Sequence, residues 1–157
     1  MLSDYFSSER CADVREMRRT SGVSAVRRAQ LTGSEMREDE GPGGKLHTVY
    51  KVRSKIGPFE CTCFRRFSEF LSLHAELKQN FKRQRVPSGR KLRESKWELQ
   101  PHRVIERRIR LLQTYCDQLC AAPEIAQSDL AISFFWPSSS RGDGFISAPD
   151  GSTASMT

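Results

Sequence analysis

A chain of 157 residues that is 37% hydrophobic and 29% charged has the size and composition of one soluble globular domain with tails, and too little length for a second. No apolar run approaches the roughly 20 residues that cross a bilayer, and Met1-Leu2-Ser3-Asp4-Tyr5-Phe6 has no apolar stretch ahead of a cleavage site; the expected compartment is the cytoplasm, with any membrane contact peripheral. A net charge of +7 and a pI near 9.5 call for an anionic partner.

Residues 1–21 carry mixed charge without a sustained period and are expected to form a flexible extension. From Gly22, residues 23–26 and 29–32 read as one strand interrupted by Arg27-Arg28, and the acidic, breaker-rich stretch 33–44 reads as a loop. Leu46, Thr48, Tyr50 and Val52 then alternate with His47, Val49, Lys51 and Arg53, the period of a half-buried strand. Gly57-Pro58 turns the chain into a further strand from Phe59 to Arg65, completing a three-stranded antiparallel meander.

Past Arg66 the period changes to near 3.6. Phe67, Phe70, Leu71, His74, Leu77 and Phe81 fall on one helical stripe, with Ser68 at the expected N-cap and His74 expected to be a core histidine with a satisfied hydrogen bond. A basic connection over residues 83–100 holds Pro87, Gly89 and Trp97, and its length without regular structure points to function or disorder. Pro101 opens a long helix lined by Val104, Ile105, Arg108, Leu111, Leu112, Tyr115, Cys116 and Leu119, where Arg108 is a cation on an apolar stripe. Pro123 follows that helix. Ser128 caps a short last one, and residues 138–157, rich in Ser and Gly, are expected to be disordered. The fold class is α+β: a meander packed against about three helices, within a domain over residues 22–137.

The chemistry is not that of a catalyst. His47, His74 and His102 are scattered, and no nucleophile elbow, H-E-x-x-H or phosphate-binding glycine loop occurs, so no enzyme activity and no cofactor are expected. Cys11, Cys61, Cys63, Cys116 and Cys120 lack C-x-x-C spacing; a zinc site is conceivable, but buried apolar cysteines are the favoured reading and no metal is expected. The basic character is concentrated: residues 81–110 hold eleven Lys/Arg against three Glu, a balance of +8.

The distinctive constellation is Arg65-Arg66-Phe67-Ser68-Glu69-Phe70, two cations and an aromatic where a strand hands over to a helix. Arginine supplies planar donors that stay charged against a phosphate, and Phe67 offers a flat apolar floor for a sugar-like ring. Solvated arginines beside a phenylalanine that staples the helix would give the same spacing.

The order of strands, R-R-F-S-E-F run, basic loop, long helix and short helix resembles the phox-homology (PX) domain family. Gln113-Thr114-Tyr115-Cys116 and Phe134-Phe135-Trp136-Pro137 look especially like the PX domains of NADPH-oxidase organiser and SH3-PX scaffold proteins. The resemblance implies a monomeric module that binds a 3-phosphorylated inositide and recruits its protein to endosomal or plasma membranes, with possible protein partners in a larger scaffold. It implies that Arg66 takes the 3-phosphate, Phe67 stacks on the inositol, Lys96 meets the 1-phosphate and Arg108 contacts the far side of the ring, with Lys91 competing for the place of Lys96 and Arg107 for that of Arg108. Around that pocket, Arg65, Lys82, Arg83, Arg85, Arg90, Lys91, Arg93 and Trp97 are expected to face an anionic membrane. Val86, Leu92 and Trp97 are the apolar side chains available there to dip into a bilayer. The family's usual P-x-x-P run is absent, Pro87 standing alone. Two other readings use the same residues: a protein-interaction scaffold whose lipid pocket has degenerated, and a basic nucleic-acid-binding domain that lacks any recognised nucleic-acid motif.

Overall fold

A computed structural model describes residues 14–15, 18–19, 25–39, 41–90, 92, 101–137, 144–147 and 153–154. Three long antiparallel strands, β1 (Val26–Glu38), β2 (Leu46–Ile56) and β3 (Phe59–Arg66), form the expected meander. Strand pleating sends alternate residues to opposite faces. Tyr50, Val52, Ser54 and Ile56 of β2 lie opposite Arg65, Cys63, Cys61 and Phe59 of β3 and line the core face. Helices α1 (Phe67–Asn80), α2 (Pro101–Ala121), α3 (Pro123–Ala126) and α4 (Asp129–Phe135) supply the rest of the domain. Among the described residues no helix is long and apolar enough to cross a membrane.

Several expectations are corrected. β1 runs on through Glu38, so the loop expected over 33–44 is mostly strand, with a bulge between Leu31 and Gly33. Residues beyond the bulge are largely exposed and give no alternation of apolar side chains, so only backbone pairing with β2 reveals the strand. α1 is capped by Arg66 rather than Ser68: the Arg66 backbone N–H donates to Glu69 Oε1 at 3.0 Å, the reciprocal half of a capping box.

Parts of both flanks join the domain. In the extension expected to be flexible, Val14 is buried in the core, and Arg18 pairs with Asp129 at 2.9 Å and donates to the Gln127 carbonyl. In the tail expected to be disordered, β4 (Gly144–Ser147) pairs with β3, and β5 (Thr153–Ala154) with β4. The physical reason is the unpaired edge of β3: its ladder groups need partners whatever the side-chain composition of the segment that supplies them.

Arg65 is fully buried. Its Nε donates to the Phe134 carbonyl at 2.8 Å, Nη2 to the Trp136 carbonyl at 2.9 Å and Nη1 to the Phe64 carbonyl at 2.8 Å. The guanidinium thereby satisfies carbonyls at the C-terminal end of α4, where a cation is also favoured by the helix dipole. Phe134 packs edge-on against Phe70 of α1, with ring centroids 4.9 Å apart.

α2 is fixed from the other side. Gln113 Oε1 accepts from the Leu31 N–H at 2.8 Å and its Nε2 donates to the Ala29 carbonyl at 3.1 Å, so one side-chain amide serves both backbone groups of β1 beside the bulge. His74 is the core histidine expected: its Nδ1 lies 2.9 Å from the Tyr115 hydroxyl, and both residues are buried. The connection after α1 lies against that ring at Gly89, where a Cβ would come within 2.3 Å of the imidazole.

Cys61, Cys63 and Cys116 are buried free thiols and Cys120 is half-buried. Among the described residues no group of three or more His, Cys, Asp and Glu is arranged to hold a metal ion. Burial pushes the Cys61 and Cys116 thiols well up, and burial together with the Asp117 carboxylate pushes Cys120 up to about 11.

Two outcomes follow from this core. Arg65→Met strands the carbonyls the guanidinium serves, and Arg65→Lys offers a single ammonium in place of a three-sided fork. Urea denaturation of each variant is expected to give a loss on the order of 2–4 kcal/mol for the methionine and a smaller one for lysine. Wild-type midpoints would contradict the anchoring role. Separately, alkylation by iodoacetamide at neutral pH, mapped by peptide, is expected to leave Cys61, Cys63 and Cys116 unmodified and to reach Cys120 only slowly, with all four reacting readily in denaturant.

Candidate functional site

The site is the corner where β3 becomes α1. Pleating puts Arg65 on the core face with Tyr50, so the next residue, Arg66, falls on the opposite face, directly across from Val49 of β2. The side chain of Arg66 is 39% exposed. It reaches toward the start of β2 and the loop before it: Nη2 donates to Asp39 Oδ1 and to His47 Nδ1, the latter at 2.8 Å. His47 Nδ1 is also 3.0 Å from Asp39 Oδ1, so the three side chains meet at one point.

Phe67, the first residue of α1, is 7% exposed and presents a ring face to α2. Arg108 lies over that face, its Cζ 4.1 Å from the ring centroid, a cation–π contact. This accounts for a cation on an apolar stripe. Leu112 and Tyr115, one and two turns farther along α2, are buried in the core, whereas Arg108 stands where the stripe overhangs the corner. The Tyr50 hydroxyl is buried there without a well-aligned hydrogen-bond partner among the described residues. Desolvation raises the Tyr50 phenol pKa, and the nearby Arg108 guanidinium offsets part of that rise.

Phe67 and Arg108 are thus in contact, while Arg66, adjacent to Phe67 in sequence, has its side chain engaged by Asp39 and His47. Lys96, expected to complete the set, lies outside the described residues, as do Lys91, Arg93 and Trp97 among the expected membrane contacts. Arg65 is corrected: a fully buried guanidinium occupied by three carbonyls does not face a membrane. Leu92 is corrected as well, because it is 1% exposed and belongs to the core, and Val86 is half-buried against it. Lys82, Arg83, Arg85 and Arg90 are exposed. Arg85 lines a groove of about 520 Å³ with Val86, Pro87, Ser88, Gln118, Ala121 and Ala122. That groove is at the far end of α2, roughly 20 Å along the helix from Arg108.

Asp39, His47 and Tyr50 escaped the sequence reading of the site. Tyr50 carried a signal, its place on the inner side of an alternating strand. Asp39 and His47 carried none, since their meeting with Arg66 depends on the register of β2 and on the turn before it. A second basic cluster also went unseen: Arg28, Arg53 and Lys55 line a cavity of about 130 Å³ on the exposed face of the sheet. There Glu60 takes a two-pronged bond from Arg53, at 2.8 and 3.2 Å, which holds its carboxyl below the usual range. It sits at the opposite end of β3 from Arg66 and does not join the corner.

Comparison with known proteins gives a consistent result. A family model for the PX domain matches residues 54–138. Among solved structures the chain is similar to a designed CISK-PX domain, at 24% identity and a TM-score of 0.53, covering 70% of this chain and 99% of that one. It is also similar to the mouse SNX19 PX domain, at 24% identity and a TM-score of 0.52, covering 71% and 96%. The same mouse domain with bound sulphate ion aligns at 28% identity and a TM-score of 0.51, again covering 71% and 96%. No curated protein matches in sequence.

The contact between Arg108 and its surroundings has a direct readout. Arg108→Gln removes the cation that lowers the Tyr50 phenol pKa while desolvation remains, so the ionisation midpoint of Tyr50, followed by NMR of the labelled ring, is expected to move to higher pH. An unchanged or lower midpoint would show that the guanidinium does not act on this phenol.

Proposed function

We propose, starting from the fact that the chain belongs to the PX domain family, that the corner of Arg66, Phe67 and Arg108 grips the headgroup of a 3-phosphorylated inositide at an endosomal or plasma membrane surface. Members of the family are in general non-catalytic, phosphoinositide-binding, membrane-targeting modules that associate with membranes peripherally. The observation that carries the finer reading is the geometry of the corner: the Arg108 guanidinium lies 4.1 Å above the centroid of the Phe67 ring, and the preceding residue in the chain is a half-exposed arginine, Arg66. A phosphomonoester on a flat polyol needs this combination of a permanently charged fork and an apolar face. The mouse SNX19 PX domain, similar in fold, holds a sulphate ion, which has the tetrahedral oxyanion shape of a phosphate.

Binding then has two parts. The pocket reads the headgroup, with Lys96 as the contact to the 1-phosphate that the family resemblance implies. Outside it, Lys82, Arg83 and Arg90, together with Lys91 and Arg93, sense the anionic leaflet at about 1 kcal/mol each, within a Debye length of the surface. Charge rather than insertion supplies most of the avidity, because Leu92 is committed to the core. The role of such a domain is to bring its parent protein to a membrane for trafficking or scaffold assembly. Support for a place among oxidase-organiser and SH3-PX scaffolds comes from the Gln113 to Cys116 and Phe134 to Pro137 runs.

Liposome co-sedimentation tests this reading. Arg66→Ala is expected to lower affinity for vesicles carrying phosphatidylinositol 3-phosphate by roughly 10- to 100-fold, while residual binding to plain anionic vesicles persists and fades with added salt. Unchanged headgroup-specific binding by the variant would overturn the pocket.

A further inference from the structure

We propose that Asp39 is a built-in competitor for the phosphate, occupying the Arg66 guanidinium until a headgroup displaces it. The inference rests on the reading of Arg66 as the phosphate ligand.

An arginine can pair side by side with an oxyanion through two edges, Nε with Nη2 or Nη1 with Nη2. Both edges use Nη2, and Nη2 carries two hydrogens. In this structure Nη2 contacts both Asp39 Oδ1 and His47 Nδ1, so the one nitrogen that both edges share is already engaged. A phosphate can still touch Nε or Nη1 singly, but it gains the strong two-pronged arrangement at the edge that Asp39 holds only by expelling the carboxylate. Asp39 therefore reduces affinity twice: it must give up a charge-assisted bond, and its own negative charge stands beside the incoming one.

The position of Asp39 is built rather than incidental. Its backbone N–H donates to the Lys45 carbonyl at 3.1 Å, closing the loop between β1 and β2. Gly44 passes so close that a Cβ there would lie 2.1 Å from the Asp39 carbonyl oxygen. His47, one residue into β2, reinforces the trap. Its Nδ1 faces both Arg66 and Asp39 at hydrogen-bond distance, yet one ring nitrogen accepts from the first or donates to the second, not both. As acceptor it completes the saturation of Nη2. The side chains of Asp39 and Arg66 are 43% and 39% exposed, so the pair is weak enough to open when a stronger anion arrives.

The test is a calorimetric titration of the full chain with soluble inositol 1,3-bisphosphate, comparing wild type, Asp39→Asn, Arg66→Ala and the double variant. Asp39→Asn keeps the shape of the side chain and removes its charge, and is expected to bind about two- to fivefold more tightly. Asp39→Ala, which removes the acceptor altogether, is expected to gain at least as much. In the Arg66→Ala background the Asp39→Asn change is expected to have no such effect, because the competition needs the guanidinium. Loss of binding in Arg66→Ala with no gain in either Asp39 variant overturns the competitor role and leaves the pocket standing. Undiminished binding in Arg66→Ala overturns the pocket itself.

Discussion

The buried guanidinium of Arg65 is the constraint on which the corner depends. It is a permanent charge placed in the core, and it is tolerated because its fork meets the carbonyls of Phe134, Trp136 and Phe64. Those bonds tie the last residues of β3 to the end of α4, and Phe134 in turn packs on Phe70 of α1. Because a strand alternates, fixing Arg65 inward fixes Arg66 outward. The direction of the residue assigned to the ligand is thus set by its buried neighbour.

The second arm of the site arrives by a separate route. Gln113 holds α2 to β1 beside the bulge, and Tyr115 holds it to α1 through His74. With two points of the helix fixed, Arg108 has one place to go, over the exposed edge of the core and onto the ring of Phe67. The runs around Gln113 and Phe134 that gave the sequence its subfamily flavour thereby have structural duties: one positions α2, and the other supplies the carbonyls that receive Arg65. Their presence is explained by packing whether or not the parent protein is a scaffold.

The internal ion pairs of the corner bear on how such a site stays soluble and selective. A cluster of unoccupied guanidinium groups would attract any anion. Here Arg66 is engaged by Asp39 and His47, and Arg108 lies on an aromatic face. On the proposed reading, a ligand must then offer more than charge to displace them, which favours a headgroup that matches the corner in shape as well as sign. The cations of the loop after α1 work on a different principle, screened and additive, and need no particular register.

Periodicity and punctuation were enough to read the meander, the four-turn helix that follows it and the long helix after Pro101, because each buries one face against the core and therefore repeats its apolar residues at its own spacing. The motif at the corner was equally legible, as was Arg108, a charge where the stripe demanded an apolar residue. Other features were not. The outer half of β1 and the strand from Gly144 to Ser147 are held mainly by backbone bonds, which leave little trace in side-chain composition. The inward turn of Arg65 and the meeting of Asp39, His47 and Arg66 join residues up to 71 positions apart. Sequence by itself determined which surfaces are apolar and which residue types are present; the register between strands, and the docking of the last helix, decided which of two adjacent arginines is a structural anchor and which reaches the half-exposed corner, because pleating makes those two fates mutually exclusive and only a tertiary contact can choose between them.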